Sequence, residues 1–169
     1  MRYLCIDLGD KRTGLAVADS VTRIVSPLDV IETPISAEGG ELLLRHIVRA
    51  VANQFGASGT SAGELVVGLP LNMDGTEGPR AKEVRAFAAR IAERTGRAVH
   101  FHDERLSTAE ADWSMARSGL TRGQKKARRD ALAAAAILRD FLAAQAGQTA
   151  PGDAPLGDDA GIHGHDEPA

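Results

Sequence analysis

The chain has 169 residues, 43% of them hydrophobic and 25% charged, which suits one domain with a real core and excludes a disordered chain. A single cysteine, Cys5, excludes an internal disulfide and fits a reducing compartment, and no stretch reads as a signal peptide or a membrane span. The net charge of −3 has two parts: residues 147–169 hold five of the 23 acids and no Lys or Arg, leaving a body of +2 that permits a nucleic-acid partner without demanding one.

Residues 3–8 are apolar on both alternating faces except for Asp7, so they read as a strand buried on both sides. Gly9 and Gly14 flank a polar turn, and a second apolar run completes a hairpin. A third strand is expected over 24–32, with Pro27 near its start. Leu44, Ile47, Val48, Val51 and Phe55 then recur at helical spacing over about 40–55. A Gly/Ser-rich loop leads to a fourth short strand, 64–69, which runs into Pro70. Asp74-Gly75 is a turn, and Pro79 opens a helix that buries Val84, Phe87 and Ile91 and ends at Gly96.

A fifth strand, 98–102, closes in Asp103-Glu104-Arg105. Ser107 and Glu110 form a capping box for a further helix, in which Trp113 reads as a packing anchor. The last helix starts in the basic run 121–129 and reaches about Ala144. From Gly147 onward the composition predicts a disordered acidic tail, so the domain is expected to span 1–146 and the tail 147–169. The order predicts an α/β fold with a five-stranded mixed sheet flanked by helices. Strands one to three should be antiparallel, and strands four and five should run parallel to strand one after their helical crossovers.

Three acids converge in this scheme. Asp7 lies in a strand where a carboxylate is costly unless compensated, although a strand-ending turn acid is the plain alternative. Asp130 shares a helical stripe with Ala134, Ile137, Leu138 and Phe141, so its side chain should face the sheet, with a salt bridge to Arg128 or Arg129 as the alternative. Glu104 ends the fifth strand at the sheet edge where Asp7 ends the first, the edge where ligands gather in parallel sheets. Three carboxylates without a competing Cys/His cluster suit a hard divalent cation, Mg²⁺ or Mn²⁺, and a pair of such ions is expected. Lys11, Arg12, Arg105, Lys125, Lys126, Arg128 and Arg129 are placed to hold a nucleic-acid backbone. His100 and His102 alternate with Glu104 and are expected to be core or surface residues.

Four segments carry a resemblance: Ile6–Gly14, Val67–Thr76, Asp103–Thr108, and Asp130 before the Ala-rich Ile137-Leu138 segment. Together, and in this order, they resemble the YqgF family, the RuvC-like group named for Holliday junction resolution or pre-16S rRNA cleavage. The resemblance covers about residues 1–145 and implies a ribonuclease H-like fold and a cytoplasmic nuclease acting in ribosomal RNA maturation. Structured RNA is then favoured over a DNA junction as partner, no membrane is involved, and monomer or homodimer is left open. RuvC nucleases carry an acid at the end of the fourth strand, where this chain has Gly68-Leu69-Pro70. That role is expected to move to Glu104, with Asp103 second and Asp74 as an outside candidate already explained by its turn.

Two other function classes compete. Asp7–Gly14 also resembles the first phosphate loop of the actin and hexokinase ATPases, which need a second lobe that this length leaves no room for. A non-catalytic nucleic-acid-binding module of the same fold would have little reason to keep three inward acids.

Overall fold

Three apolar runs joined by short polar turns build one half of the sheet. In the computed structural model, which describes residues 1–56, 62–106 and 122–148, β1 (Arg2–Leu8), β2 (Thr13–Asp19) and β3 (Val25–Ile31) form an antiparallel meander. The β1–β2 turn closes with the Gly9 amide donating to the Arg12 carbonyl at 3.0 Å. A Cβ at Gly9 would overlap that carbonyl, so only glycine fits. β3 is an edge strand, where Pro27 is tolerated. Its register skips Leu28, since Leu15 faces Asp29 and Ala16 faces Pro27, a bulge at the sheet edge.

The second half follows two helical crossovers. α1 (Glu41–Phe55) buries Leu43, Leu44, Ile47, Val51 and Phe55, a three-and-four spacing along one face. β4 (Gly63–Leu69) then runs parallel to β1. α2 (Pro79–Thr95) opens on Pro79 and ends at Gly96, whose φ of 65° is the left-handed cap that glycine supplies at little cost. β5 (Val99–Asp103) pairs parallel with β4 and passes into a short 3-10 turn, Glu104–Leu106. The strand order β3-β2-β1-β4-β5 is the mixed five-stranded sheet the pattern predicts.

The last helix, α3 (Arg122–Gln148), runs past its expected end near Ala144. Leu142 is buried, and the Tyr3 hydroxyl meets Gln145 Oε1 at 3.3 Å, so contacts with the sheet continue beyond the main apolar stripe. Gly147 and Gln148, assigned to the tail by composition, are therefore helical. The capping box at Ser107, Trp113 and residues 149–169 lie outside the described residues.

Strand alternation divides the core in two. Leu4, Ile6, Leu8, Leu65 and Val67 belong to the core that α1 and α2 cover. Tyr3, Cys5, Ala16, Ala18 and Val66 pack against Ala134, Ile137, Leu138 and Phe141 of α3. The small residues of this second face let the helix approach the sheet closely. Burying Ile137, Leu138 and Phe141 contributes roughly 1.5–3 kcal/mol each relative to exposure, enough to seat α3 with an acid at its leading end. Cys5 is a wholly buried packing residue whose thiol burial pushes far above its usual acidity range.

Candidate active site

Asp7 continues the series Tyr3, Cys5, Asp7 on the face of β1 that α3 covers. Its partner across the β1–β2 ladder is Gly14. On the other side, the parallel register ends at Ile6 against Val67, so Asp7 and Gly68 are the next residues along the two strands, and Gly68 pairs with His102. Asp7 thus stands in a row between two glycines, and an acid-bearing element occupies the room each glycine leaves. A Cβ at Gly14 would overlap the main-chain carbonyl of Asp130. A Cβ at Gly68 would come 3.1 Å from Glu104 Oε2 and 2.8 Å from Ile137 Cδ1. At the end of β4, where this chain has no acid, the Glu104 carboxylate from the turn after β5 lies over Gly68.

The electrostatics follow from this crowding. Asp7 is half-buried by exposed area yet closely surrounded by protein. The crowding governs its acidity, while the remaining opening leaves it reachable. Burial, then the charges of Glu104 and Asp130, push its carboxyl up to about 7, against the opposing pull of Arg80. Burial also raises Glu104, with Arg80 opposing and Asp103 adding to the rise.

Asp130 faces the sheet as its helical position predicts, and it meets a cation from a distant segment, Arg12 of the β1–β2 turn. Arg12 Nε lies 2.8 Å from Oδ2, and the same oxygen is buried and accepts no hydrogen bond. The two facts fit one geometry, a close charge contact whose N–H is not aimed at the oxygen. Among the described residues no three acids stand in a closed ligand cluster. The donor set still suits a hard divalent cation, being all carboxylate oxygen with one buried oxygen lacking a hydrogen bond.

Arg80 is the site residue that sequence reasoning missed. Its Nη2 donates to the Leu8 carbonyl at 2.7 Å, and its Nη1 lies 3.0 Å from Asp10 and 2.6 Å from Glu83. It therefore ties the start of α2 to the end of β1, next to Asp7. A readable signal did exist: a cation in the first turn of a helix opposes the helix dipole and implies another partner.

The remaining candidates divide. Lys11 is exposed on the β1–β2 turn, and Arg128 and Arg129 are exposed on α3. Lys125 and Lys126 fall in the helix's first two turns, with side chains outside the described residues. Arg105, expected among the nucleic-acid contacts, is committed elsewhere. Its Nε and Nη2 donate to Asp103, and its Nη1 donates to the carbonyls of Asn72 and Met73 at 3.1 Å each, so it braces the β4–α2 loop.

Asp103 is held below the usual carboxylate range by that same arginine, which sets it apart from the raised pair Asp7 and Glu104. Asp74 accepts from the Thr76 amide and hydroxyl, the turn chemistry expected of it, and these bonds lower its acidity range. His100 meets Glu64 at 2.7 Å, and both His100 and His102 pack on Phe141.

Comparison with known proteins adds the family. The profile of the RuvX family, described as Holliday junction resolvase, matches residues 1–144. The chain belongs to this family. Among curated RuvX relatives, one from Anaeromyxobacter sp. (strain Fw109-5), named "Putative pre-16S rRNA nuclease", is 43% identical over 146 residues, covering 84% of this chain and 96% of its own. Another of that name, from Pelotomaculum thermopropionicum, is 37% identical over 145 residues, 86% of this chain and 88% of its own.

Among solved structures, Thermus thermophilus RuvC in complex with Holliday junction substrate aligns with a TM-score of 0.50 at 19% identity, over 87% of this chain and 97% of that one. The fowlpox virus Holliday junction resolvase aligns with a TM-score of 0.50 at 12% identity, over 85% and 99%. These likenesses bear out the ribonuclease H-like fold expected for a RuvX chain.

Proposed function

We propose that this chain is a metal-dependent endonuclease that hydrolyses phosphodiester bonds, with the 5′ end of precursor 16S ribosomal RNA as its target. One observation carries the reading: Gly14 and Gly68 let Asp130 and Glu104 close in beside Asp7, whose carboxyl is raised to about 7, first by burial and then by those two charges. Keeping Asp7 against the charges of both Glu104 and Asp130 costs stability, which speaks against a non-catalytic module. Asp7, Glu104 and Asp130 would hold Mg²⁺ or Mn²⁺, one ion or a pair. Bound there, the metal supplies charge stabilisation at the attacking water and the leaving oxygen.

The protein's own groups do the rest. Arg80 holds the end of β1 to the start of α2 and so fixes where Asp7 presents its carboxyl. Gly68 leaves the space in which the Glu104 carboxylate lies. Lys11, Arg12, Arg128 and Arg129, with Lys125 and Lys126, offer charge to a phosphate backbone without reading sequence. No helix among the described residues is long and apolar enough to cross a membrane. We infer that a chain acting on ribosomal RNA works in the cytoplasm.

The names of the curated relatives favour ribosomal RNA, whereas the family description and the RuvC complex favour a four-way DNA junction. The deciding experiment offers both substrates, with Mg²⁺ or Mn²⁺ and with chelator, to the wild type and to Asp7→Asn. The proposal expects metal-dependent cleavage of the RNA precursor that Asp7→Asn abolishes. Cleavage of the junction alone moves the substrate assignment to DNA. Cleavage that survives Asp7→Asn removes the site.

A further inference from the structure

The contact between Arg12 and Asp130 is the feature of the site that a metal-holding role leaves unexplained. Lasting arginine–carboxylate pairs are frequently forked and aligned, as Arg105 is on Asp103. Arg12 is not. Its Nε reaches Oδ2 at 2.8 Å, yet the oxygen stays buried without a hydrogen bond. The backbone of Arg12 is pinned, because its carbonyl closes the β1–β2 turn on Gly9. Its side chain is 36% exposed, so it borders solvent. The main chain of Asp130 is pressed against Gly14. Meanwhile the three acids do not close into a ligand cluster. A solvent-bordered cation on an incompletely satisfied carboxylate, whose backbone is fixed against Gly14, is the arrangement expected of an occupant that leaves.

Building on the metal-holding reading above, we infer that Arg12 is a placeholder. It neutralises Asp130 in the metal-free protein and must release that carboxylate before a divalent cation is held. Once released, the guanidinium belongs to the same edge as Lys11, where a phosphate backbone would pass. Metal arrival therefore frees a positioning cation for substrate, and the two binding events favour each other.

The test uses the full chain and the metal alone. Mn²⁺ is titrated calorimetrically into wild type, Arg12→Gln and Asp130→Asn. Losing a partly exposed competing ion pair should tighten Mn²⁺ binding in Arg12→Gln by about three- to tenfold, and Asp130→Asn should weaken it. Affinity in Arg12→Gln that is unchanged or weaker overturns the inference.

Repulsion at a distance could also tighten binding, so the wild type is followed by nitrogen-15 NMR during Mg²⁺ addition. The Arg12 Nε–H signal, assigned by its absence in Arg12→Gln or, should that variant not fold, in Arg12→Lys, should move to the position of a free arginine as the site saturates. A signal that stays in place overturns the inference even if the affinity changes. Mn²⁺ binding that is indifferent to Asp130→Asn would defeat the acid site itself. Binding that depends on Asp130 and ignores Arg12 defeats the placeholder alone.

Discussion

Among the three acids of the proposed site, Asp7 has its carboxyl raised from the usual 3.8 to about 7, first by burial and then by Glu104 and Asp130. An acid whose folded value lies above its unfolded one binds its proton more tightly in the native state. The stability this contributes is complete below the unfolded value and is lost as pH rises through the folded one. The metal-free protein should therefore lose stability between about pH 4 and pH 7, by at most about 4 kcal/mol for a three-unit shift. Asp7→Asn removes the titration and the repulsion together. Urea denaturation from pH 4 to 8, in chelator, should show a flatter profile for the variant and greater stability at pH 8. A variant as steeply pH-dependent as wild type would mean that another group titrates.

At the scale of elements, α3 and the sheet meet through the glycines of the Asp7 row, and the two glycines are not equivalent. A Cβ at Gly14 meets main chain at Asp130, which cannot step aside without moving the helix. A Cβ at Gly68 meets the ends of Ile137 and Glu104, which can adjust. Gly14→Ala should cost roughly 1–3 kcal/mol or more as an overpacked contact, and it should blunt the thermal stabilisation by Mn²⁺. Gly68→Ala should cost less. Paired melting curves with and without Mn²⁺ check both, and wild-type stability in Gly14→Ala would show that α3 is not seated there.

The strands, α1, α2 and the face of Asp130 were legible because each repeats at a period the chain itself displays. Glu104 was a candidate because Asp103-Glu104 ends the fifth strand, and its choice over Asp103 came from the resemblance to RuvC nucleases, whose acid at the end of strand four this chain lacks. Arg80, the contact of Arg12 with Asp130, and the bracing role of Arg105 were not legible. Each depends on a meeting between segments far apart in the chain, and Arg105 donates to loop carbonyls, which carry no residue-specific signal.

For the whole molecule the decisive quantity is the distribution of charge. Residues 147–169 carry five acids and no basic residue, against a body of +2. Their composition offers almost nothing to bury, so we propose that they act through charge alone. Since α3 extends to Gln148, the informative truncation removes 149–169 and leaves the helix whole. That truncation takes away all five acids, because Gly147 and Gln148 are uncharged. The shortened protein should melt within a degree or two of the full chain, and it should cleave with the same metal dependence. Its association with nucleic acid should strengthen at low ionic strength, where an acidic segment repels the phosphate backbone, and the advantage should fade as salt shortens the range of the repulsion to about 8 Å near 0.15 M. Binding measured from low to physiological salt, beside melting curves of both proteins, separates charge from packing. A fall of many degrees on truncation would mean that the segment docks on the body. A salt-independent gain in affinity would mean that it covers the site directly.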